Sequence, residues 1–170
     1  MFVDVGANIG ACALLMAARG HRVIAFEPTP ATFAALAAGV AGNTQLGLIP
    51  HMDVRLVNAA ASNASGRGVI YSMPGNAGNS VTTGAQGSRP RSRNKYIFNR
   101  KYERHEIRLT TLDDDVQTPA NEIGLMKIDT QGHEQRVLRG ATRLLTGPSR
   151  VATIKLEFAP ARKPMAARTP

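Results

Sequence analysis

Four short stretches of this chain hold residues whose types and spacing can do chemistry. The first, Phe2-Val3-Asp4-Val5-Gly6-Ala7-Asn8-Ile9-Gly10, reads as a buried strand, a glycine-bracketed turn and the start of a helix. Such a junction aims backbone N–H groups at a ligand, and the helix N-terminus adds partial positive charge. Gly6 lets the chain turn sharply, and Gly10 lets the helix lie close to the strand or to a ligand. The spacing D-x-G-x-N-x-G differs from the dinucleotide fingerprint G-x-G-x-x-G and argues against an NAD-type oxidoreductase. The second stretch is Glu27-Pro28, 21 residues after Gly6. An acid there, ending a second strand, can accept from both hydroxyls of a ribose lying across the first turn; its plainer role is to cap the next helix. The third is Asn58-Ala59-Ala60-Ala61-Ser62, small residues that let a flat ring lie close to the backbone, with Asn58 at the ring's edge.

The fourth stretch is Asp129-Thr130-Gln131-Gly132-His133-Glu134, a turn between a strand and a helix. His133 titrates near neutrality and suits proton transfer, or else pins the turn by a hydrogen bond. Asp129 can orient it, or ligate a cation together with Glu157. Glu134 stands where a carboxylate caps the following helix. The triple Asp113-Asp114-Asp115 invites a metal reading, but three adjacent side chains do not converge in regular structure. Acids there suit the first turn of a helix, and no metal ligands are assigned.

These residues need a scaffold that brings strand ends together. Ala11–Arg19 is rich in Ala, Leu and Met and is stopped by Gly20, so it reads as a helix. His21–Phe26 reads as a strand, and a helix follows from Thr29 or Thr32 to a break at Gly42-Asn43. Val54–Asn58 is a third strand, and Val69-Ile70-Tyr71 a further one, antiparallel. Ile107–Thr110 resumes a strand, Leu125–Asp129 is a fourth core strand, one helix carries Val137, Leu138, Ala141, Leu144 and Leu145, and Val151–Glu157 is a fifth core strand. Strands alternating with helices over short connections imply an α/β fold, a mostly parallel sheet with flanking helices.

Composition bounds the class. The 170 residues fit one domain over 1–158, with 43% hydrophobic and 19% charged residues. A single cysteine, Cys12, excludes an intrachain disulfide and a multi-cysteine zinc site. No signal peptide or membrane span is expected, so a cytoplasmic protein is the default. Of the net charge of +9, residues 84–108 carry +6. The basicity therefore decorates a segment rather than the core, and a nucleic-acid partner is disfavoured. Residues 74–95 read as a polar loop within a basic insertion of about 74–106, where Asn76, Asn79 and Ser80 can shape a pocket. Residues 159–170 read as a disordered tail.

The combination VDVGANIG (3–10), AFEP (25–28), VNAAAS (57–62), TTLDD (110–114) and MKIDTQGHEQRVLRGA (126–141) resembles the FkbM family of methyltransferases, within the class I S-adenosylmethionine (SAM)-dependent superfamily. The resemblance implies a Rossmann-like sheet with SAM across the carboxyl ends of the first three strands. It would place the methionine part on Gly6, Ala7, Asn8 and Gly10, braced by Asp4, the ribose on Glu27 beside Pro28, and the adenine beside Asn58 and Ala59. Asp129, His133 and Glu134 would face the transferred methyl. The implied reaction is O-methylation of a small hydroxylated acceptor such as a sugar or polyketide. Relative to the superfamily, the sheet is expected to be incomplete on its C-terminal side, lacking a last helix and β-hairpin. The exposed edge would then call for an oligomer or a completing partner, or leave an inactive SAM-binding remnant.

Overall fold

The computed structural model describes residues 1–50, 54–73, 76–83, 103–117, 122–147 and 151–157. The chain opens with β1 (Phe2–Val5), α1 (Ala11–Ala18), β2 (Val23–Phe26), α2 (Pro30–Gln45) and β3 (Val54–Val57). A second group follows: β4 (Ala60–Ala61), β5 (Gly66–Met73), β6 (Asn76–Thr83) and β7 (Glu103–Thr110). Then come α3 (Leu112–Asp115), β8 (Leu125–Ile128), α4 (Glu134–Arg139), α5 (Thr142–Thr146) and β9 (Ile154–Leu156).

The central sheet has the order β3-β2-β1-β8-β9 and is parallel throughout. β1 and β2 are buried at every position, as expected of parallel strands covered on both faces. Alternation sends Phe2, Val23 and Ala25 toward Ala13 and Ala17 of α1 and Leu36 of α2. It sends Val3, Val5, Ile24 and Phe26 toward Leu112, Val137 and Leu144 on the other face. The order reverses between β1 and β8, and such a switch point opens a crevice at the strands' carboxyl ends. The smaller sheet, β4-β7-β5-β6, stands beside it with Ala60, Ile70, Ile107 and Leu109 as its own apolar cluster. The α/β fold with a parallel sheet and flanking helices is the one expected from the sequence. Among the described residues no helix is long and apolar enough to cross a membrane.

Four local expectations are corrected. Residues 76–83, expected as loop, form β6, paired antiparallel with β5, and β7 begins at Glu103, four residues before the predicted start. Polar composition hid both, because hairpin pairing satisfies the backbone whatever the side chains. α2 runs through Gly42-Asn43 to Gln45, with the Asn43 side chain donating to Gly39 O at 2.8 Å. Its stop is Gly47, at φ 69°. The single helix expected over Val137–Leu145 is split into α4 and α5 at Gly140-Ala141. There a Cβ on Gly140 would fall far inside contact with the Ser62 carbonyl, and the Gly140 carbonyl accepts from Asp113 N–H at 2.9 Å. The chain leaves the helix to make that crossing.

The pocket-shaping side chains of Asn76, Asn79 and Ser80, the basic stretch 84–102 and the tail 159–170 lie outside the described residues and side chains. Among the described residues β9 forms one edge of the central sheet, with Ile154 and Leu156 over a third exposed.

Candidate functional site

The opening turn is wedged between two strand ends. Gly6 and Ala7 N–H both donate to Phe26 O at the end of β2, at 3.0 and 2.9 Å. On the other side, a Cβ on Gly6 would overlap the Asp129 carbonyl, and Gly6 sits at φ 80°. Only glycine satisfies both conditions. Asn8 N–H donates to Glu27 Oε2 at 3.0 Å and Gly10 N–H to Ala7 O at 2.9 Å. The amides of Gly6, Ala7, Asn8 and Gly10 are thus committed within the protein, which corrects the expectation that they stand free for a ligand. Donors remain in the first turn of α1, whose cap position, Gly10, has no side chain to satisfy them.

Asp4 is fully buried beneath that helix terminus. Lys127, its register neighbour on β8, donates to Asp4 Oδ1 at 3.0 Å and to Gly6 O at 3.1 Å, and its ammonium lies 3.8 Å from Asp129 Oδ2. Burial pushes the Asp4 carboxyl above its ordinary range, with Lys127 opposing. Asp4 Oδ2 is buried without a hydrogen-bond partner. Sequence reasoning missed Lys127. The signal was there: a lysine between Met126 and Ile128 in an otherwise apolar strand.

Glu27 serves as the joint between turn and cleft. Besides Asn8, it accepts Thr29 N–H on Oε1 at 2.8 Å. Its carboxyl is raised by burial, against the hydrogen bonds from Thr29 and Asn8. Both oxygens keep a free lone pair, so two ligand hydroxyls can still donate. Asn58 donates to Glu27 O at 2.8 Å and to Pro28 O at 3.3 Å. Its amide therefore fixes the loop after β2, and Ala59, Ala60 and Ala61 beside it are buried and flat.

The Asp129–Glu134 turn assembles a second group. Gln131, held at φ 55°, donates to Asp129 Oδ1 at 3.0 Å and to Glu157 Oε2 at 3.2 Å. Burial raises Asp129, but the shared hydrogen bond with Glu157 and the Lys127 charge outweigh it and lower its carboxyl. The same hydrogen bond raises Glu157. Glu134 Oε1 accepts from Thr130 N–H at 3.0 Å, Thr130 Oγ at 3.1 Å and Gly132 N–H at 2.9 Å. Burial is outweighed by those donors, and the Glu134 carboxyl is lowered. That oxygen shapes the turn. His133 is buried, with Nε2 3.2 Å from Ser62 Oγ, which in turn donates to Asn63 Oδ1 at 3.3 Å. Ser62, read from sequence only as one of the small residues beside a ring, is thus the hydrogen-bond partner of His133. Burial and Arg136 push the His133 ring below its usual range, so it is neutral at pH 7.

The three aspartates of α3 go three ways. Asp113 accepts Arg143 and Leu144 N–H, Asp114 accepts Ser65 Oγ, and Asp115 meets Arg55 and Thr110. Among the described residues no three His, Cys, Asp or Glu side chains group to hold a metal ion.

Between the two groups lies a cleft enclosing about 620 Å³, part of it open to solvent, walled by Gly6, Glu27, the Ala59–Ala61 stretch, Ile70, Asp129 and His133. The turn, the acid after β2, the small-residue wall and the His-bearing turn, expected from four separate stretches, meet here. Compared with known proteins, residues 4–165 match the methyltransferase FkbM domain. The chain belongs to the FkbM methyltransferase domain family. A solved structure of a methyltransferase FkbM from Methylobacillus flagellatus superposes with a TM-score of 0.51 at 19% identity. The match covers 84% of this chain and 28% of that one, and it bears on the fold alone. A search of curated proteins finds no match.

Proposed function

We propose that this FkbM domain is a SAM-dependent methyltransferase that methylates a hydroxyl of a small molecule, such as a sugar or polyketide, in the cytoplasm. The observation that carries the reading is Glu27: a buried acid at the end of β2 that ties down the Gly6–Gly10 turn and still presents lone pairs to the cleft. The residues present fit the donor. Glu27 would take the ribose hydroxyls, the Ala59–Ala61 wall beside Asn58 and Pro28 the adenine, and the first amides of α1, over Asp4, the methionine end. Bound there, SAM supplies an electrophilic methyl whose transfer depends mainly on alignment of the acceptor.

The chain's own share is to bind, to align and to take a proton. With the Ser62 hydroxyl donating to Asn63, His133 Nε2 is left as donor to Ser62, and Nδ1 carries the lone pair. A neutral buried imidazole with a lowered pKa can accept the hydroxyl proton at pH 7. Asp129, on the same wall, is held by Gln131 and Lys127 and can orient an acceptor hydroxyl. Glu134 contributes by fixing the turn that carries His133. The exposed β9 edge favours a second reading, a SAM-binding domain that works only when a partner or second copy covers it.

Calorimetric titration with SAM, followed by methyl transfer from labelled SAM to a panel of hydroxylated acceptors, tests both readings. Saturable one-site binding with transfer supports the enzyme, and binding without transfer supports the second reading. Absence of SAM binding refutes both.

A further inference from the structure

Lys127 is the one lysine side chain among the described residues that lies largely inside the protein, with 15% of its side chain exposed. It touches the carboxylate of Asp4 on β1, the carbonyl of Gly6 in the opening turn and the neighbourhood of Asp129 past β8. The Gly6 peptide is otherwise held only from the β2 side, through Phe26 O, and pressed against Asp129 O. A carbonyl in a turn at φ 80° has no ladder partner, and the lysine ammonium is what it meets.

From this geometry we propose that Lys127 is a positioning residue: by clamping the Gly6 carbonyl while neutralising Asp4, it holds the opening turn in its ligand-ready shape. The inference rests on the SAM reading only for its ligand; the clamp belongs to the unliganded protein. Two simpler roles compete with it. Lys127 could serve solely as the counter-ion of Asp4, a buried carboxylate that needs one. It could also act as a bare charge beside a cationic donor, which it would repel.

The three roles separate in a set of variants: Lys127→Met, Asp4→Asn and the double variant Asp4→Asn/Lys127→Met. Losing a hydrogen bond to a charged group costs about tenfold or more in what depends on it. The clamp predicts that Lys127→Met weakens SAM and S-adenosylhomocysteine alike by about tenfold or more, since both share the methionine end. It predicts that the double variant stays equally weak, whereas Asp4→Asn, which keeps the lysine on Gly6, is hit less. If Lys127→Met fails to fold because Asp4 is left alone, the double variant, with neither charge, decides the matter. Hydrogen exchange on the unliganded proteins gives a readout free of SAM. Amides of residues 6–10 should lose protection by about tenfold in the double variant but not in Asp4→Asn. Recovery of affinity and protection in the double variant would overturn the clamp and leave only charge balance. Stronger SAM binding relative to S-adenosylhomocysteine in Lys127→Met would overturn it in favour of simple repulsion. Either result leaves the SAM reading standing, whereas wild type that binds no SAM sinks that reading, and the exchange data still decide the clamp.

Discussion

Replacing Glu27 by glutamine separates the two jobs of that side chain. In the unliganded protein its oxygens accept Asn8 N–H at 3.0 Å and Thr29 N–H at 2.8 Å. Glutamine keeps one acceptor and turns the other into an NH₂ donor, so one of those amides loses its partner. A hydrogen bond to a charged group is worth about 1.5–3 kcal/mol. Against that loss stands relief: the ionised carboxyl is destabilised by burial, as its raised pKa shows, and the neutral amide carries no such penalty. The two effects oppose each other, so the melting temperature should change little, by the equivalent of about 2 kcal/mol at most. A ribose has no such compensation. Its two hydroxyls donate, and a donor now occupies half of their acceptor, so SAM should bind about 10–150-fold more weakly, taking 1.5–3 kcal/mol at about 1.4 kcal/mol per tenfold. Calorimetric titration at pH 7.5, with circular dichroism to show that the variant is folded, measures both quantities. A folded Glu27→Gln protein that binds SAM within about threefold of wild type would refute the ribose role of Glu27.

Three further outcomes are expected. Gly140→Ala pushes a methyl into the Ser62 carbonyl, an overpacking cost of about 1–3 kcal/mol or more, and should lower the urea midpoint without changing its slope. His133, whose folded pKa lies below the ordinary 6.5, binds its proton more weakly folded than unfolded. Stability linked to it is therefore complete above about pH 6.5 and falls as pH drops toward the folded value, and melting curves from pH 8 to 5.5 should show a slope that His133→Asn reduces. Glu27 runs the other way, its folded pKa standing above the ordinary 4.5. Stability falls as pH rises through that window, and a ligand that donates to the ionised carboxylate should bind more tightly as pH rises through it, releasing protons measurable in buffers of different ionisation enthalpy.

The parallel core was legible because its signal is local and repeated. β1, β2 and β8 are short apolar runs punctuated by Gly or Glu-Pro, and α1 is a string of strong helix formers ended by Gly20. β6 was not, since Asn76–Thr83 has the composition of a loop and becomes a strand only by pairing with β5. Nor was the break at Gly140. The periodicity of Val137, Leu138, Ala141, Leu144 and Leu145 fits one helix, and the interruption is imposed by Ser62 and Asp113, distant in the chain.

The same division runs through the site, and it explains which residues sequence reasoning could name. Gly6, Glu27, Asn58 and Asp129 each follow directly on a recognisable strand, with Asp4 inside β1 and His133 in the turn after β8, and in a parallel sheet those ends come together by topology alone. What each side chain does there depends on register. Lys127 faces Asp4 only because β1 and β8 pair in a frame that sets the two side by side. Ser62 meets His133 only because Gly140 lets α4 end against it. The turn's amides, read as free from the glycine spacing, are spent on Phe26 O and Glu27 because β2 ends level with β1. The glycines therefore do less to expose amides than to let the turn fit between Phe26 and Asp129, where a lysine can hold it. The cleft is walled by Glu27, the Ala59–Ala61 stretch, Asp129 and His133 along with Gly6 and Asn8, while the amides of the motif that announces the site work mainly as its frame.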